Sequence, residues 1–308
     1  MKKFTKKLVS ASVLLSCSFL ANTAQAQSSV WQVSNGNDSL FIGGTVHILP
    51  KAEMPLPAEF NHAYEQADTI ILEAPLPDPA NTNAQMQMQM LGALSYKNNE
   101  TLSQKLEPQI KASLENKLSE FGANLAKLDG YRPAMVSIVL MSMELQKQNI
   151  MGEGVDAYFT KKATEDNKTK NYLETMEFQL ELFKTMGQGN ENDFIKRNLA
   201  ELHNYSDMFK GLLAAWRKGD TDTLNKVALE DMQKNDPNSY KQLITDRNND
   251  WLPKVEAMFN NDKNEFVLVG VTHLAGQDSL LTLLENKGYS VTLVSVDSTA
   301  DITVRGAE

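Results

Sequence analysis

The sequence contains few of the residues that carry thiol or imidazole chemistry. Its single cysteine, Cys17, lies close to the N terminus, and only four histidines occur in 308 residues. The rest of the chain therefore has no disulfide, no cysteine nucleophile and no thiolate metal ligand. After the first 26 residues, no apolar run is long enough to cross a membrane. The fold must rest on packing, and any imidazole chemistry must use one of four side chains.

The N-terminal segment has the order of charged and apolar residues that is typical of a secretory signal peptide. Four lysines occur in residues 2–7, an apolar run covers residues 8–20, and Ala24-Gln25-Ala26 supplies small residues for cleavage. We therefore expect residues 1–26 to be removed and the mature chain to be periplasmic. Leu14-Leu15-Ser16-Cys17 loosely resembles a lipoprotein box, so lipid anchoring at Cys17 is the alternative.

The chain is acidic. Its formal net charge is −9 and becomes −13 when the four lysines of the signal peptide are removed. Such a surface argues against nucleic acid and anionic lipid as partners. The remaining residues, roughly 280, are enough for a sizeable core. We expect residues 27–308 to form a single domain without a membrane span, and the sequence does not define its oligomeric state.

Strand-like segments concentrate at the two ends of the mature chain. They cover residues 30–33, 39–44, 69–73, 265–269 and 290–294. Between them, residues 102–259 repeat apolar positions at helical spacing, and a short strand-like run at residues 171–174 precedes a helix from about Thr175. The pattern predicts an α/β fold, in which N- and C-terminal strands form a mixed central sheet flanked by helices, with a long helical insertion in the middle.

The expected boundaries follow from this division. Residues 27–80 and 262–308 form the α/β core, and about 81–261 form the mainly helical insertion. The core also includes two predicted helices, at residues 59–67 and 278–287. Gln85 to Met90 alternates glutamine and methionine, which we interpret as a helix or a surface segment.

Two of the four histidines occur in the same local pattern. Gly44-Thr45-Val46-His47 and Gly270-Val271-Thr272-His273 each follow an apolar strand with a glycine, two residues and a histidine. Glycine makes up 16 of 308 residues, so two such coincidences among four histidines are unexpected. In α/β sheets the carboxyl ends of strands open on a shared crevice, and glycine permits a tight turn there. The pattern predicts that both rings face one crevice.

Carboxylates and arginines complete the candidate site. Glu73 and Glu174 end two further strand-like runs, so the same rule brings them to the crevice. Arg132 and Arg247 precede or begin helices and are candidates for holding a substrate carboxylate or a developing oxyanion, or for structural salt bridges. Asp156 and Asp220 follow glycines and are interpreted as helix caps outside the site.

Imidazoles and carboxylates together have two chemical uses. They bind a divalent metal that acidifies water, or they act directly as general acid and base, and both uses indicate hydrolysis. The ligand spacing is unlike that of a single metal-binding helix, so the residues alone leave both uses open. A structural interpretation also stands beside them: His47 and His273 are hydrogen-bonded core residues and Glu73 is a salt-bridge carboxylate.

Several motifs along most of the mature chain resemble the TraB/PrgY/GumN family, which includes the animal Tiki proteins. The motifs are Gly44-Thr45-Val46-His47, Leu72-Glu73, Tyr131-Arg132-Pro133, Gly154-Val155-Asp156, Leu173-Glu174-Thr175 with Gln179, Ala215-Trp216-Arg217-Lys218-Gly219-Asp220, Arg247-Asn248 with Trp251, and Gly270-Val271-Thr272-His273-Leu274-Ala275-Gly276. The chain departs from the family pattern at Val271-Thr272, where small residues are expected in many relatives.

The resemblance implies an α/β core with paired Gly-x-x-His motifs, related to erythromycin-esterase-like and ChaN-like proteins. Tiki proteins are described as divalent-metal-dependent proteases. By analogy, His47, Glu73 and His273 are the expected metal ligands and catalytic residues, followed by Glu174, Arg132 and Arg247. The expected cofactor is a divalent metal, Mn, Co or Zn.

The sequence therefore favours an exported metal-dependent hydrolase that acts on a peptide or a small molecule. Two alternatives remain open at this point. One is a non-catalytic regulatory protein that sequesters a peptide, haem or a metal in the same crevice. The other is a metal-free, esterase-like hydrolase. Kinship at the level of the fold does not decide between them.

Overall fold

The computed structural model describes residues 26–75, 84–259 and 261–296. Residues 1–25, which carry almost all of the predicted signal peptide and Cys17, lie outside the described residues. The strands are β1 Ala26–Asn35, β2 Asp38–Thr45, β3 Thr69–Leu72, β4 Thr169–Tyr172, β5 Glu265–Gly270 and β6 Ser290–Val296. They form one six-stranded sheet in the order β4-β3-β5-β2-β1-β6.

The sheet is mixed, which confirms the predicted fold class. Strands β4, β3, β5 and β2 are parallel, whereas β1 runs antiparallel to both β2 and β6. A tight turn joins β1 to β2, where Gly36 has a φ of 66° that suits glycine. Every residue of β3 and β5 is buried, as expected for central parallel strands covered on both faces.

Fourteen α-helices lie in the described part of the chain. They are α1 Ala58–Gln66, α2 Ala84–Ala93, α3 Leu102–Lys105, α4 Pro108–Glu120, α5 Pro133–Lys147, α6 Val155–Glu165, α7 Met176–Thr185, α8 Glu191–Glu201, α9 Tyr205–Trp216, α10 Thr221–Ala228, α11 Glu230–Asn235, α12 Pro237–Tyr240, α13 Asp246–Met258 and α14 Leu280–Asn286. The predicted helical middle of the chain is confirmed, and Thr175 caps α7 by accepting from the Phe178 N–H. None of the described helices combines the length and apolar character needed to cross a membrane.

Two hydrophobic clusters cover the two faces of the sheet. Alternate residues of β5 divide between them: Phe266 and Leu268 pack with one cluster, Val267 and Val269 with the other. This alternation is the two-residue period of a strand. A third cluster joins α3, α4, α5 and α8 away from the sheet, and Leu114 is one of its fully buried members. The fold is therefore a three-layer α/β core with an attached helical part.

Candidate functional site

Four parallel strands end at the same edge of the sheet, and a polar side chain follows each of them. His47 follows β2, Glu73 follows β3, Glu174 follows β4 and His273 follows β5. The carboxyl ends of parallel strands open on a common crevice. The structure brings these four predicted site residues together, and Arg247 of α13 lies among them.

Arg247 is the hub of the buried part of this cluster. Its Nε and Nη2 donate to the two carboxylate oxygens of Glu174 at 3.1 and 2.6 Å, and Nη2 also donates to Glu73 Oε2 at 2.5 Å. Its Nη1 donates to His273 Nε2 at 2.9 Å and to the Leu243 carbonyl at 3.3 Å. All five guanidinium N–H groups are thus used within the protein. As arranged, Arg247 has no donor free for a substrate carboxylate or oxyanion.

The first turns of α13 supply these contacts because helical spacing places Arg247, Asn248 and Trp251 on one buried face. The Arg247 guanidinium lies over the Trp251 ring, 4.6 Å from its centroid, and Trp251 Nε1 donates to Glu174 Oε2 at 3.2 Å. A π-helical turn, Lys241–Thr245, precedes α13 and presents the Leu243 carbonyl to Arg247. Such turns are frequent at functional sites.

Glu73 is ionised although it is buried. Burial raises the pKa of its carboxyl, but the positive charges of His273 when protonated, of Arg247 and of His47, together with the Gly270 N–H, lower it to about 2. Gly270 N donates to Glu73 Oε1 at 2.6 Å. Because His273 is itself neutral at ordinary pH, Arg247 is the buried cation that keeps Glu73 charged.

His273 is a neutral structural ring. Its Nδ1–H donates to Asn248 Oδ1 at 2.7 Å, and its Nε2 lone pair accepts from Arg247, so the hydrogen-bond network assigns the Nδ1–H tautomer. Burial is the main cause that lowers the pKa of His273 to about 3, and the Arg247 charge adds to it. The structural interpretation of a hydrogen-bonded core histidine describes His273 well.

His47 has a different environment, although its sequence motif is the same. Its Nδ1–H donates to Asp156 Oδ2 at 3.1 Å. Desolvation in the crevice acts to lower the pKa of His47, but the hydrogen bond and charge of Asp156, aided by Glu73, raise it to about 9. Water screens part of this interaction because 66% of the side-chain surface is exposed. The raised pKa favours the protonated ring at neutral pH.

Asp156 is a site residue that the sequence analysis left outside the site. It lies in the first turn of α6, whose N-cap is Gly154, and makes no capping hydrogen bond. The helix cap predicted for Asp156 is therefore wrong, whereas Asp220 does cap α10 by accepting from the Thr223 N–H. The sequence feature that could have indicated this role is the Gly154-Val155-Asp156 motif taken as a unit, because it packs the start of α6 against the residues after β2.

Gly154 makes this docking possible. The Val155 N–H donates to the Val46 carbonyl at 3.0 Å, which holds the start of α6 against the His47 segment. A Cβ on Gly154 would lie 2.3 Å from the His47 carbonyl oxygen. Only glycine permits this approach of two backbones.

We predict that Gly154→Ala lowers the free energy of unfolding by about 1–3 kcal/mol, because the backbone after β2 must shift to admit the methyl group. The measurement is urea denaturation followed by circular dichroism. Gly130→Ala is the matched control, because no atom lies within 4 Å of its added Cβ. Equal unfolding midpoints for the two variants would contradict the close approach.

A cavity of about 130 Å³ opens above the cluster. His47, Glu73, Asp156, Gln179 and Arg247 line its polar side, and Thr45 also contributes to the wall. Apolar side chains form the remainder: Leu72, Ala74, Leu182, Phe183, Leu243 and Leu268. A protonated imidazole and an ionised carboxylate thus share one cavity, which is the arrangement that general acid and base chemistry needs.

The buried nitrogen and oxygen atoms of the cluster are not free to bind a divalent metal as they are arranged. A metal would need the His273 Nε2 lone pair and carboxylate oxygens, but these already accept hydrogen bonds from Arg247. Across the described residues, no group of three or more His, Asp or Glu side chains has the geometry to hold a metal ion. A metal here would have to displace the guanidinium. The metal set of His47, Glu73 and His273 stays a prediction.

Arg132 is the predicted site residue that the structure does not bring to the crevice. It precedes α5, and its guanidinium donates to the Ser95 carbonyl at 3.2 Å and to Gln188 Oε1 at 3.3 Å. It also lies over the Tyr96 ring, 5.3 Å from the centroid. These contacts join the segments before α3, before α5 and after α7, which is the structural role weighed for Arg132 from its sequence position.

Trp216, in the Ala215-to-Asp220 motif, forms hydrogen bonds that hold the end of β2 in position. Trp216 Nε1 donates to the Gly44 carbonyl at 2.7 Å, and its own carbonyl accepts from Ser29 Oγ at 2.7 Å. The ring is fully buried. These bonds fix the end of β2 next to Val271, whose Cγ2 would lie 2.7 Å from a Cβ on Gly44. Val271 therefore packs tightly against Gly44. The departure from the family pattern at Val271 does not remove His273 from the cluster.

Comparison with protein-family models gives one match, to the TraB/PrgY/gumN family, over residues 29–293. Comparisons with curated proteins and with solved structures give no match. The match covers the whole described sheet except the ends of β1 and β6, and it includes every residue of the crevice. The chain belongs to the TraB/PrgY/gumN family.

Proposed function

We propose that the protein is an exported hydrolase that uses His47 as general acid and Glu73 as general base on a peptide or related acyl substrate. One observation carries the proposal: two groups that line one cavity have pKa values moved apart, that of His47 upward and that of Glu73 downward. Titratable pairs separated in this way are the usual mark of an acid and base assignment.

The proton transfers follow from these charges. Glu73 Oε1 accepts one backbone hydrogen bond and retains a lone pair for a water molecule. When the water oxygen bonds to the carbonyl carbon, its proton becomes strongly acidic, so even a carboxylate of low pKa accepts it. His47 gives its proton to the leaving group as the bond breaks. Arg247, Glu174 and His273 hold Glu73 in position, and transfer of the proton from Glu73 to His47 restores the site.

This assignment predicts that activity falls at alkaline pH, and that Asp156 determines the pH of this fall because it raises the pKa of His47. Activity should fall as pH rises through the pKa of His47, since the general acid is then lost. Asp156→Asn removes the charge that raises this pKa, so the alkaline limb should move to lower pH. The measurement is the pH dependence of kcat/KM for both proteins. An alkaline limb at the same pH in Asp156→Asn would contradict the role of Asp156.

The function itself is tested by incubating the purified mature chain with a peptide library and with simple esters, with EDTA and with added Mn²⁺, Co²⁺ or Zn²⁺. Mass spectrometry reads the products. The proposal expects cleavage that survives EDTA and is lost in His47→Gln. Tight peptide binding without cleavage would overturn it in favour of a sequestering protein.

A metal-dependent peptidase is the second candidate. Family membership favours it, and so does the 3.9 Å separation of His273 Nε2 and Glu73 Oε1, two potential ligand atoms. This function requires the Arg247 guanidinium to move away from His273 and Glu73, so that their nitrogen and oxygen atoms can bind the metal. In the same assay it predicts cleavage that EDTA abolishes and a divalent ion restores.

A further inference from the structure

A second cavity, of about 180 Å³, shares Phe183 as a wall with the candidate active site. It lies among α5, α7, α8 and the start of α9. Most of its lining is apolar, with Ile138 and Met141 from α5, Met186 after α7 and Phe194 from α8. A chemical group attached to a substrate in the first cavity therefore has an apolar chamber within reach.

The helix that separates the two cavities is loosely held. None of the ten residues of α7 is fully buried, although Leu182 and Phe183 are apolar and face the cavities. Phe178, on the same helix, is 43% exposed. A helix with so few buried contacts can shift at low cost. A small movement of Phe183 would therefore admit a substituent from the first cavity into the second.

The rim of the second cavity is acidic. Glu201 lines it and also lines an adjoining groove, together with Asp231 and Asp236. Arg197 lines the same groove, pairs with Asp236 at 2.6 Å and also acts to lower the pKa of Glu201, so three carboxylates face one guanidinium there. Burial is the main cause that raises the pKa of Glu201, and the charge of Asp231 adds to it against the effect of Arg197.

One buried polar atom next to the chamber lacks a hydrogen-bond partner. The Ser137 hydroxyl is buried and makes no hydrogen bond to any described residue. Tyr205 borders the same chamber. An apolar chamber with an acidic rim matches a flexible alkyl chain that ends in a cation, since such chains bury the stem and keep the charged end at the surface.

We propose that this second cavity is a substrate subsite for a basic side chain of the lysine type, with its alkyl stem against Phe183 and Met186 and its ammonium at Glu201. The subsite rests on the proposed hydrolase function, because it gives that site its substrate class: peptides with a basic residue next to the cleaved bond. The net charge of −9 suits such a substrate.

The subsite is tested without turnover by NMR of the protein labelled with [methyl-¹³C]methionine. Met141 and Met186 line the chamber, and Met258 on α13, which is not part of its lining, is the reference. Titration with n-hexylamine should shift the first two signals and leave Met258 unmoved. The matched probe 1-hexanol, which has the same stem without the charge, should bind about three- to fivefold more weakly.

Glu201→Gln should remove the preference for the amine and leave 1-hexanol binding unchanged. Glu181→Gln, on the outer side of α7 and paired with Lys184, is the control and should keep the preference. Equal binding of both probes to the wild type, or an undiminished preference in Glu201→Gln, would overturn the subsite.

A turnover experiment distinguishes failure of the proposed subsite from failure of the proposed hydrolase function. Peptides that differ only by lysine or norleucine at one position are compared by kcat/KM. Cleavage with the same kcat/KM for both series at every position overturns the subsite and leaves the hydrolase standing. Amine binding at Met141 and Met186 without cleavage of any peptide overturns the hydrolase and retains a cation-binding chamber.

Discussion

Replacing Arg247 by methionine is expected to lower the free energy of unfolding by about 3–5 kcal/mol at neutral pH. The arginine is buried and bonds two carboxylates that are themselves almost fully buried, Glu73 and Glu174. Methionine fills part of the space but removes the cation that both carboxylates contact. The expected loss is large because a buried charge without a partner keeps its full desolvation cost. Urea denaturation measures it.

The control for this variant is Arg217→Met. Arg217 pairs with Glu53, but 39% of its side-chain surface is exposed, so its loss should cost no more than about 1 kcal/mol. A similar loss in both variants would show that Arg247 is not the cation on which the cluster depends.

The pH dependence of the Arg247→Met defect has a definite sign. In the wild type the pKa of Glu73 is lowered from 4.5 to about 2, so its contribution to stability is present above 4.5 and is lost as pH falls towards 2. Without Arg247, one of the positive charges that lower this pKa is gone while burial still raises it, so Glu73 in the folded variant takes up a proton at a higher pH than in the wild type. The difference between the two proteins should shrink as pH falls from 7 to 4.

His47→Gln is expected to reduce kcat/KM by about 10²–10⁴, with a loss of stability limited to the ion pair with Asp156, which water screens. Glutamine keeps a polar group near Asp156 but has no proton to give at the leaving group. The ring is exposed on 66% of its surface, so little packing is lost. Turnover of the cleaved peptide and the thermal unfolding midpoint are the two measurements.

His62→Gln is the matched control for His47→Gln. His62 is an exposed histidine of α1 that bonds only to Gln66 in the described structure. Its replacement should leave kcat/KM unchanged. Full activity in His47→Gln would remove His47 from the chemistry, whatever the behaviour of the control.

The sequence predicts much of the sheet, because its periodicity is strong. Buried runs such as Thr69–Leu72 and Glu265–Gly270 stand out by their apolar content, and the Asn35-Gly36 pair indicates the first hairpin. Strand order is harder to predict. β1 lies between β2 and β6, and β4 from the helical middle adds an edge strand beside β3, which depends on contacts distant in sequence.

The candidate site was predictable as a set of strand ends and unpredictable as a set of roles. His47 and His273 share a motif, yet one bonds to a carboxylate in an open cavity and the other is buried between Asn248 and Arg247. Arg132 and Arg247 had equal standing in the sequence. Only the tertiary structure shows that the N–H groups of Arg247 point towards Glu73. This contact depends on how α13 packs against the strand ends, and the residues next to Arg247 in the sequence do not indicate it.

An NMR titration of the imidazole nitrogens tests the central claim more directly than any assay. That claim is that, of the two histidines in the paired motifs, His47 is protonated at neutral pH and His273 is neutral. We predict that His47 titrates above 6.5 and loses much of this rise in Asp156→Asn, while His273 stays neutral with a protonated Nδ1 from pH 5 to 8. A His273 ring that gains a proton between pH 6 and 8, or a His47 ring that is neutral at pH 7, would contradict it.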